Sequence, residues 1–566
     1  MSGFDSVVRG GMLVDGTGAP RVRADLGIQG GRIAAIGRLA ASDGEREIDA
    51  SGCVVAPGFV DLHTHYDAQI FWDPYCSISS WHGVTSVVIG NCGFGFAPVP
   101  ADARDQAMRS MTRVEAIPYD SMREGMPWDW ESFPEFLDSL ERTRKAVNVQ
   151  ALAPLTPVMV TAMGLERAKA GALPTEAEHQ HMQALLDEAM TAGAAGWSAQ
   201  RTSPDSGYNI QRDYDGTPMV TDVMHDETML AMAEVLARHG RGFIQTTCVK
   251  RTPQESFDIM ERVAETAGRP LLHNVILAYA NFPKAHHLYV DWIASCRERG
   301  LPIYGQAVTS TAGFTFDFHD WNLFDECDAW AEATRGSDAE KLQKLGDPER
   351  RPLLRKQTPY TITPGLDRIV VVETSRPEHS DARGRTLGEL AEEQGVHPVD
   401  VMLDLAVSED LDTVFYTPLP NDGYFGLEDL LQDPSILCGV SDGGAHTKFT
   451  TPGIFPTELI TVAVRDREMI GLEEAHRRLS ALPAHCAGFG GQRGTLQVGA
   501  PADVIAYDFE RLSILEQEVV RDLPGDEWRR VQRADGYRHV LVNGVPTIED
   551  DTELGADAGA LLRGGR

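Results

Sequence analysis

The sequence has few of the features that would point to a membrane, a secreted disulfide protein or a nucleic-acid partner. None of its apolar runs approaches the roughly 18 residues of a membrane span. Its 8 cysteines are scattered over 566 residues without a CxxC pair, which favours a reducing compartment. Basic residues are scarce, since 51 lysines and arginines face 84 acidic residues and leave a net charge of −33. Nucleic acid and anionic membranes need a basic surface and are not expected as partners.

The N-terminal sequence MSGFDSVVRGGMLVDG has acidic residues and glycines where a signal peptide needs an apolar core. We therefore expect a soluble, cytoplasmic protein. With 566 residues, of which 42% are hydrophobic, the chain is longer than a usual single domain and can bury a large core.

Apolar segments alternate with helical patterns through the middle of the chain. The predicted strands, numbered 1 to 8, are 54–62, 85–91, 147–153, 194–199, 242–248, 270–276, 302–308 and 436–441. Helical patterns lie between them, at 175–193 and at 226–240 for example, and the second ends at Gly240, a favourable C-cap residue. This alternation predicts an α/β fold, a (β/α)8 barrel of the TIM type. A doubly wound parallel sheet is the alternative.

Both ends of the chain instead show short strands with tight turns. Gly-Gly and Asp-Gly steps separate β-branched runs near the N-terminus, and Asn543-Gly544 does so near the C-terminus. Because chain termini often lie close together, residues 1–52 and 495–566 are predicted to form one small β-sandwich domain. The barrel then spans 53–494, with an inserted helical subdomain at about 309–435, a stretch too long for a loop. Residues 104–145 form a second helical excursion.

The motif PGFVDLHTH, residues 57–65, carries the first indication of chemistry. Residues two apart in a strand point to the same side. His63 and His65 therefore converge at the end of strand 1, where a metal could bind both imidazoles. The alternative is a pair of packed or surface histidines.

Later strand ends supply more residues of ligand type. Catalytic groups of a barrel lie at the carboxyl ends of its strands. The candidates at these ends, with the strand that each follows, are Cys92 (strand 2), Cys248 (strand 5), His273 (strand 6), and Asp442 and His446 (strand 8). Histidine, thiolate and carboxylate together suit zinc, in one or two ions.

Two of these residues stand in settings that packing explains poorly. Cys92 lies in the glycine-rich run GNCGFGF, where the glycines add little to a core but let a ligand approach the backbone. Asp442 follows the apolar run ILCGV, and a buried carboxylate needs a partner such as a metal. Zinc would activate a water and polarise a carbonyl, and Asp442 is the candidate general base. The predicted reaction is hydrolysis of an amide, or of an ester or cyclic amide.

With these residues identified, the chain resembles the amidohydrolase superfamily and, within it, the D-aminoacylase branch. The resemblance covers nearly the whole chain, including PGFVDLHTHYD, WHGVTSVVIGNCGFGFAPV, SDGGAH and GTLQVGAPADVIAYD. It implies that Cys92 replaces the carboxylated lysine common elsewhere in the superfamily. It also implies that His63, His65, Cys92 and Asp442 are metal-site residues.

The sequence departs from that branch in ways that bear on the metal and the substrate. Where the branch has histidines on strands 5 and 6, this chain offers Cys248 and a His273 that could be shifted by one position. Leu155 and Met159 stand after strand 3, where the branch often has a histidine and an arginine. No arginine closely follows SDGGAH to hold a substrate carboxylate. The nearest cation is Lys448, and Arg201 could reach the site from a neighbouring loop.

We therefore expect a zinc-dependent amidohydrolase that cleaves an N-acyl amide, with N-acyl-D-amino acids as the substrates that the resemblance implies. His446, Lys448 and Arg201 are the candidate substrate-binding residues. Alternatives are a hydrolase of neutral acyl, aryl or cyclic amides, and a catalytically silent binding or scaffold protein. The expected partner is a small-molecule amide, and the sequence leaves open whether the protein forms homo-oligomers.

Overall fold

Eight parallel strands form the centre of the fold. The computed structural model describes residues 3–40, 44–207, 211–319, 323–489 and 492–564. In it, strands 1 to 8 are Phe59–Asp61, Val84–Ile89, Asn148–Ala151, Gly196–Thr202, Phe243–Val249, Leu271–Ile276, Ile303–Ala307 and Ile436–Cys438. All eight overlap the predicted segments, which confirms the predicted order of strands.

These strands pair with their neighbours in chain order. Strands 1 to 3 form one parallel sheet and strands 4 to 8 lie in a second. Ala153–Pro154 prolongs the path of strand 3 and pairs with strand 4. A parallel bridge between Thr64 and Gly443 joins the segments that follow strands 1 and 8. With helices between the parallel strands, this is an α/β fold whose strand carboxyl ends face the same way.

Burial and capping explain why these segments fold as they do. Every residue of strand 2, VTSVVI, is buried, as expected for a parallel strand covered on both faces. The helices between strands 3 and 7 are Leu155–Met163, Leu165–Lys169, Glu176–Ala192, Asp226–His239, Pro253–Ala267 and Ala285–Glu298. Thr175 and Glu178 form a capping box at the start of one of them. Gly240 ends another in the left-handed conformation, with φ 62°, as predicted.

Strands from both chain ends share one sheet. A seven-stranded sheet contains Met12–Leu13, Val22–Arg23, Val54–Pro57, Val504–Tyr507, Tyr537–Val542, Val545–Glu549 and Thr552–Glu553. A four-stranded sheet contains Phe4–Arg9, Asp25–Gln29, Arg32–Gly37 and Gly44–Asp49. The two share a hydrophobic core. The segment predicted as strand 1, 54–62, is therefore two strands, because residues 54–57 pair with the terminal sheet. A long hairpin, Ser513–Leu523 with Glu527–Asp535, extends from the C-terminal part.

Two insertions lie between consecutive parallel strands. The first contains helices Arg104–Val114, Tyr119–Gly125 and Phe133–Arg142. The second lies between strands 7 and 8 and has its own hydrophobic core. Its helices are Asp328–Ala333, Asp338–Leu345, Arg351–Leu354, Leu387–Gln394, Pro398–Ser408 and Leu427–Gln432, and its antiparallel strands are Phe314–Phe316, Val370–Glu373 and Val414–Thr417. The second insertion is thus mixed, since a three-stranded sheet accompanies the predicted helices.

The helices after strand 8 return the chain to the terminal sheet. They are Phe455–Glu458, Leu472–His476 and Leu482–Cys486, joined by π-helical segments Leu459–Asp466 and Arg477–Ala481. None of the helices in the described part of the chain has both the length and the apolar character that a membrane crossing requires. The 8 cysteines are all buried, free thiols.

Candidate metal centre

The two histidines of the HxH motif converge just beyond strand 1. His63 and His65 are each 1% exposed, and their ring centroids lie 5.5 Å apart with the planes at 71°. Main-chain bonds fix this segment, since the amide of His65 donates to the carbonyl of Gly443 at 2.6 Å and the Ser441 hydroxyl donates to the carbonyl of His63 at 3.0 Å. The spacing of two residues therefore places both imidazoles on one side of the chain, as predicted.

Cys92 reaches the same point from the end of strand 2. It adopts a left-handed conformation, with φ 59°, and its Sγ lies 3.4 Å from Nε2 of His63. The glycine that follows allows the close packing of this turn, because a Cβ on Gly93 would lie only 2.9 Å from Cα of Ala199. His63, His65 and Cys92 offer ligand atoms that all lie within 4.8 Å of one another.

Asp442 and His446 lie in the loop after strand 8, next to the cluster formed by His63, His65 and Cys92. Oδ1 of Asp442 lies 3.1 Å from Nε2 of His63 and 3.8 Å from Nε2 of His65. Burial alone would raise the pKa of Asp442, but the hydrogen bond from His63 and the neighbouring imidazoles hold it below its usual value. The Asp442 side chain is 31% exposed, against 1% for the two histidines. It is therefore a carboxylate that both touches the cluster and faces solvent.

Asp442 and His446 also share backbone strain with Cys92. Their φ angles are 45° and 52°, in the left-handed region that non-glycine residues seldom occupy. Each such conformation costs on the order of 1–3 kcal/mol and persists where the surroundings determine it. Three strained residues at one cluster support a functional role for these turns.

Glu115 is the sixth side chain of metal-binding type at the cluster, and the sequence analysis missed it. It follows helix 104–114 of the first insertion and is 2% exposed. Oε1 lies 3.6 Å from Nε2 of His65, and Oε2 lies 3.3 Å from Nε2 of His446. Burial raises the pKa of this carboxyl well above its usual value, and the nearby acids Asp442 and Asp67 raise it further. A carboxylate in the otherwise apolar run VEAIP was the available signal.

Two amide side chains line the opposite side of His63, and these too were missed. The backbone amide of Cys92 donates to Oε1 of Gln245 on strand 5 at 2.5 Å. Nε2 of Gln245 donates to Oδ1 of Asn274 on strand 6. The amide nitrogen of Asn274 lies 3.0 Å from Nδ1 of His63. The amides therefore link the cysteine turn to the histidine ring.

Cys248 and His273, predicted as ligands on strands 5 and 6, are not brought to the cluster. Adjacent strand residues point to opposite faces, so His273 points away from the side that Asn274 faces. Its ring stacks on Tyr289 at 5.0 Å, in helix 285–298. Cys248 stands three positions after Gln245 and so faces the helix layer as well. It is 1% exposed, and burial raises its pKa to about 11. This corrects both assignments.

Of the three predicted substrate-binding residues, only His446 lies at the cluster. Arg201 is 6% exposed and forms an ion pair with Asp226, at the start of helix 226–239. Nζ of Lys448 lies 3.0 Å from Oε2 of Glu527 and 5.2 Å from the ring centroid of Trp528. Both cations are thus engaged with groups outside the cluster.

The donor set fits a zinc ion. Two imidazoles, a thiol and a carboxylate are the groups that zinc binds, with bonds of about 2.0–2.3 Å. In a tetrahedral site such bonds place the ligand atoms roughly 3.3–3.6 Å apart. The separations between Nε2 of His63 and the Cys92 and Asp442 atoms are 3.4 and 3.1 Å. A cation would also compensate the buried acidic groups, whose charge is costly without a partner.

Comparisons with known proteins indicate the family of the chain. A profile of the amidohydrolase family matches residues 46–548. D-aminoacylase from Alcaligenes xylosoxydans xylosoxydans is 28% identical over 568 residues, covering 99% of this chain and 97% of that protein. N-acyl-D-glutamate deacylase from the same organism is 27% identical over 554 residues, covering 96% and 93%.

A solved structure shows the same fold. N-acyl-D-glutamate deacylase from Bordetella bronchiseptica, complexed with zinc and a phosphonate inhibitor, is 24% identical and has a TM-score of 0.66. The similarity covers 99% of this chain and 100% of that chain. The chain therefore belongs to the amidohydrolase family. Membership of this family makes it a hydrolase of amide-type carbon–nitrogen bonds, as predicted.

Proposed function

We propose that the protein is a zinc-dependent deacylase that hydrolyses an N-acyl amide, with Asp442 as general base. The observation that carries this proposal is the position of the Asp442 carboxylate, 3.1 Å from His63 and partly open to solvent. The relatives named D-aminoacylase and N-acyl-D-glutamate deacylase support N-acyl-D-amino acids as the first substrates to test.

We propose that the eight parallel strands close into one (β/α)8 barrel, with the site at its carboxyl edge. The bridge between Thr64 and Gly443 supports closure. The terminal strands would form a β-sandwich domain from residues 1–57 and 495–566. This moves the first boundary from 52 to 57, because Val54–Pro57 pairs with the terminal sheet.

The side chains of the site have distinct roles in this proposal. His63, His65, Cys92 and Asp442 would hold the metal, which when bound lowers the pKa of a water and polarises a carbonyl. Asp442 takes a proton from water at the site and returns it to the leaving nitrogen. Because the pKa of Asp442 is held below its usual value, this side chain is a charged carboxylate before it accepts the proton.

The ion pairing of the nearby cations favours a second candidate class of substrates. A carboxylate on an N-acyl amino acid is usually held by an arginine or lysine through charge-assisted hydrogen bonds. Arg201 is paired with Asp226 and Lys448 with Glu527. Neutral acyl amides, which need no such clamp, are therefore the second class to test.

The test is a hydrolysis panel run on protein whose zinc content has been measured. The panel contains N-acyl-D-amino acids, N-acyl-L-amino acids and neutral acyl anilides, with Asp442→Asn as the negative control. We expect release of free amine from at least one class by the wild type and none above background by the variant. Zinc-loaded wild-type protein that hydrolyses no member would favour the scaffold alternative.

A further inference from the structure

The side chains beside His65 differ in chemistry from those beside His63. Beside His65 lies the carboxylate of Glu115, with Oε1 3.6 Å from Nε2 of that ring. Beside His63 lies the amide of Asn274, which in turn accepts a hydrogen bond from Gln245. The first side offers an anionic oxygen and the second offers neutral amide groups.

The amide side is poorly suited to a second ion. Zinc prefers thiolate, imidazole and carboxylate ligands over neutral amide groups. Moreover, both amides are engaged within the protein: Gln245 accepts from the backbone of Cys92 and donates to Asn274, and Asn274 contacts His63. A metal in that place would have to break this chain of hydrogen bonds, and Asn274 and Gln245 would offer it only neutral ligands.

The Glu115 side has the opposite character. The carboxylate is 2% exposed, and among the described residues its oxygens lie 3.6 Å from Nε2 of His65 and 3.3 Å from Nε2 of His446. A buried carboxylate needs compensation by charge as well as by hydrogen bonds. Asp442 contacts the same nitrogen of His65, so a cation there would compensate two carboxylates.

Distances relate Glu115 directly to the proposed metal position. Nε2 of His65 is 3.8 Å from Oδ1 of Asp442 and 3.6 Å from Oε1 of Glu115. These values are close to the roughly 3.3–3.6 Å that zinc bonds of about 2.0–2.3 Å set between neighbouring ligand atoms of one ion. Both carboxylates therefore lie close enough to His65 to be candidate ligands of the ion that this histidine would bind.

We propose that Glu115 is a ligand of the metal held by His63, His65, Cys92 and Asp442, and that the site holds one ion. This inference depends on the proposed metal centre and specifies its composition. The first insertion thus contributes to the metal centre, and its link to the loop after strand 8 is direct: the amide of His446 donates to the carbonyl of Glu115 at 2.7 Å.

The experiment measures zinc affinity by competition with a chromogenic chelator, without reference to activity. All proteins carry His287→Ala, because His286, His287 and Asp429 form a second group of ligand type at the surface that could bind zinc. Glu115→Gln is the test variant, since the amide has nearly the same shape but no charge. Glu131→Gln, on an exposed glutamate of the same insertion, is the matched control.

We expect one tight zinc ion in the His287→Ala protein and in the Glu131→Gln control. Glu115→Gln should bind zinc at least about tenfold more weakly. Tenfold is the lower end of the loss in metal affinity when a residue that only hydrogen-bonds to a ligand is mutated. A cobalt-loaded Glu115→Gln protein should keep the thiolate charge-transfer band of Cys92 while its ligand-field bands change.

Two results would overturn the inference. Unchanged zinc affinity and unchanged ligand-field bands in Glu115→Gln would remove Glu115 from the ligands. Two tight zinc ions in the His287→Ala protein would contradict the single-ion site. Neither result would touch the proposed function, which fails instead if zinc-loaded protein hydrolyses no amide.

Discussion

The site differs between two groups of strands. One group is strands 1, 2 and 8, and the other is strands 5 and 6. After the first three strands, the residues predicted from the sequence, among them Cys92 and Asp442, meet at one point. On strands 5 and 6, the predicted Cys248 and His273 face the helix layer, while amides face inward. A residue of ligand type near a strand end is thus a weak signal until its side of the strand is known.

The largest expected effect comes from the strand 8 side. Asp442→Asn should lower kcat by at least about a hundredfold, the lower end for general acid–base groups, because the amide cannot accept a proton. Circular dichroism should show an unchanged fold. Turnover near that of the wild type would remove Asp442 from the mechanism.

The next effect contrasts the two predicted thiols directly. Cys92→Ala should lose zinc on dialysis, because a thiolate ligand is removed. Cys248→Ala should keep its zinc, since that thiol packs among helices away from the cluster. Elemental analysis of both proteins measures the zinc that each retains. Equal zinc contents would show that Cys92 and Cys248 do not differ in metal binding.

The sequence could predict a site residue where the spacing within a motif sets the side of the strand that the residue faces. His63 and His65 are two residues apart, so their common side follows from strand periodicity. A lone residue such as His273 has no such internal check, and one position separates it from Asn274. The eight strands were predictable because each lies in a buried segment that is apolar over much of its length.

Other parts of the site depend on long-range packing. Glu115 reaches the cluster because the first insertion folds back over the strand ends, and no local pattern encodes that path. The pairing of Val54–Pro57 with the terminal sheet rather than with the parallel strands was hidden by its continuity with Phe59–Asp61. Likewise, only the tertiary structure shows that Arg201 and Lys448 are ion-paired.

A smaller effect concerns substrate charge. An arginine clamp on a carboxylate contributes about 1.5–3 kcal/mol, or roughly ten- to a hundredfold in selectivity. Because Arg201 and Lys448 are engaged elsewhere, kcat/KM for an N-acyl amino acid should exceed that for its neutral amide by less than this range. If the acid is preferred by more than about a hundredfold, Arg201→Ala and Lys448→Ala would identify the clamp.

The smallest expected effect lies on the outer face of strand 6. His273→Leu removes stacking on Tyr289 and should lower the free energy of unfolding by about 1 kcal/mol, seen as a small fall in Tm. Zinc content should not change, because the ring faces away from the cluster. Loss of zinc without loss of stability would return His273 to the ligands.

The central claim is that amide hydrolysis depends on one metal ion held at this cluster. It is tested most directly by adding zinc to metal-free His287→Ala protein and following hydrolysis of the best amide in the panel. The account predicts negligible activity without metal, followed by a linear rise that ends at about one zinc ion per chain, as a single set of ligands for one ion requires. Full activity in metal-free protein, or activity that rises only with the second equivalent of zinc, would contradict it.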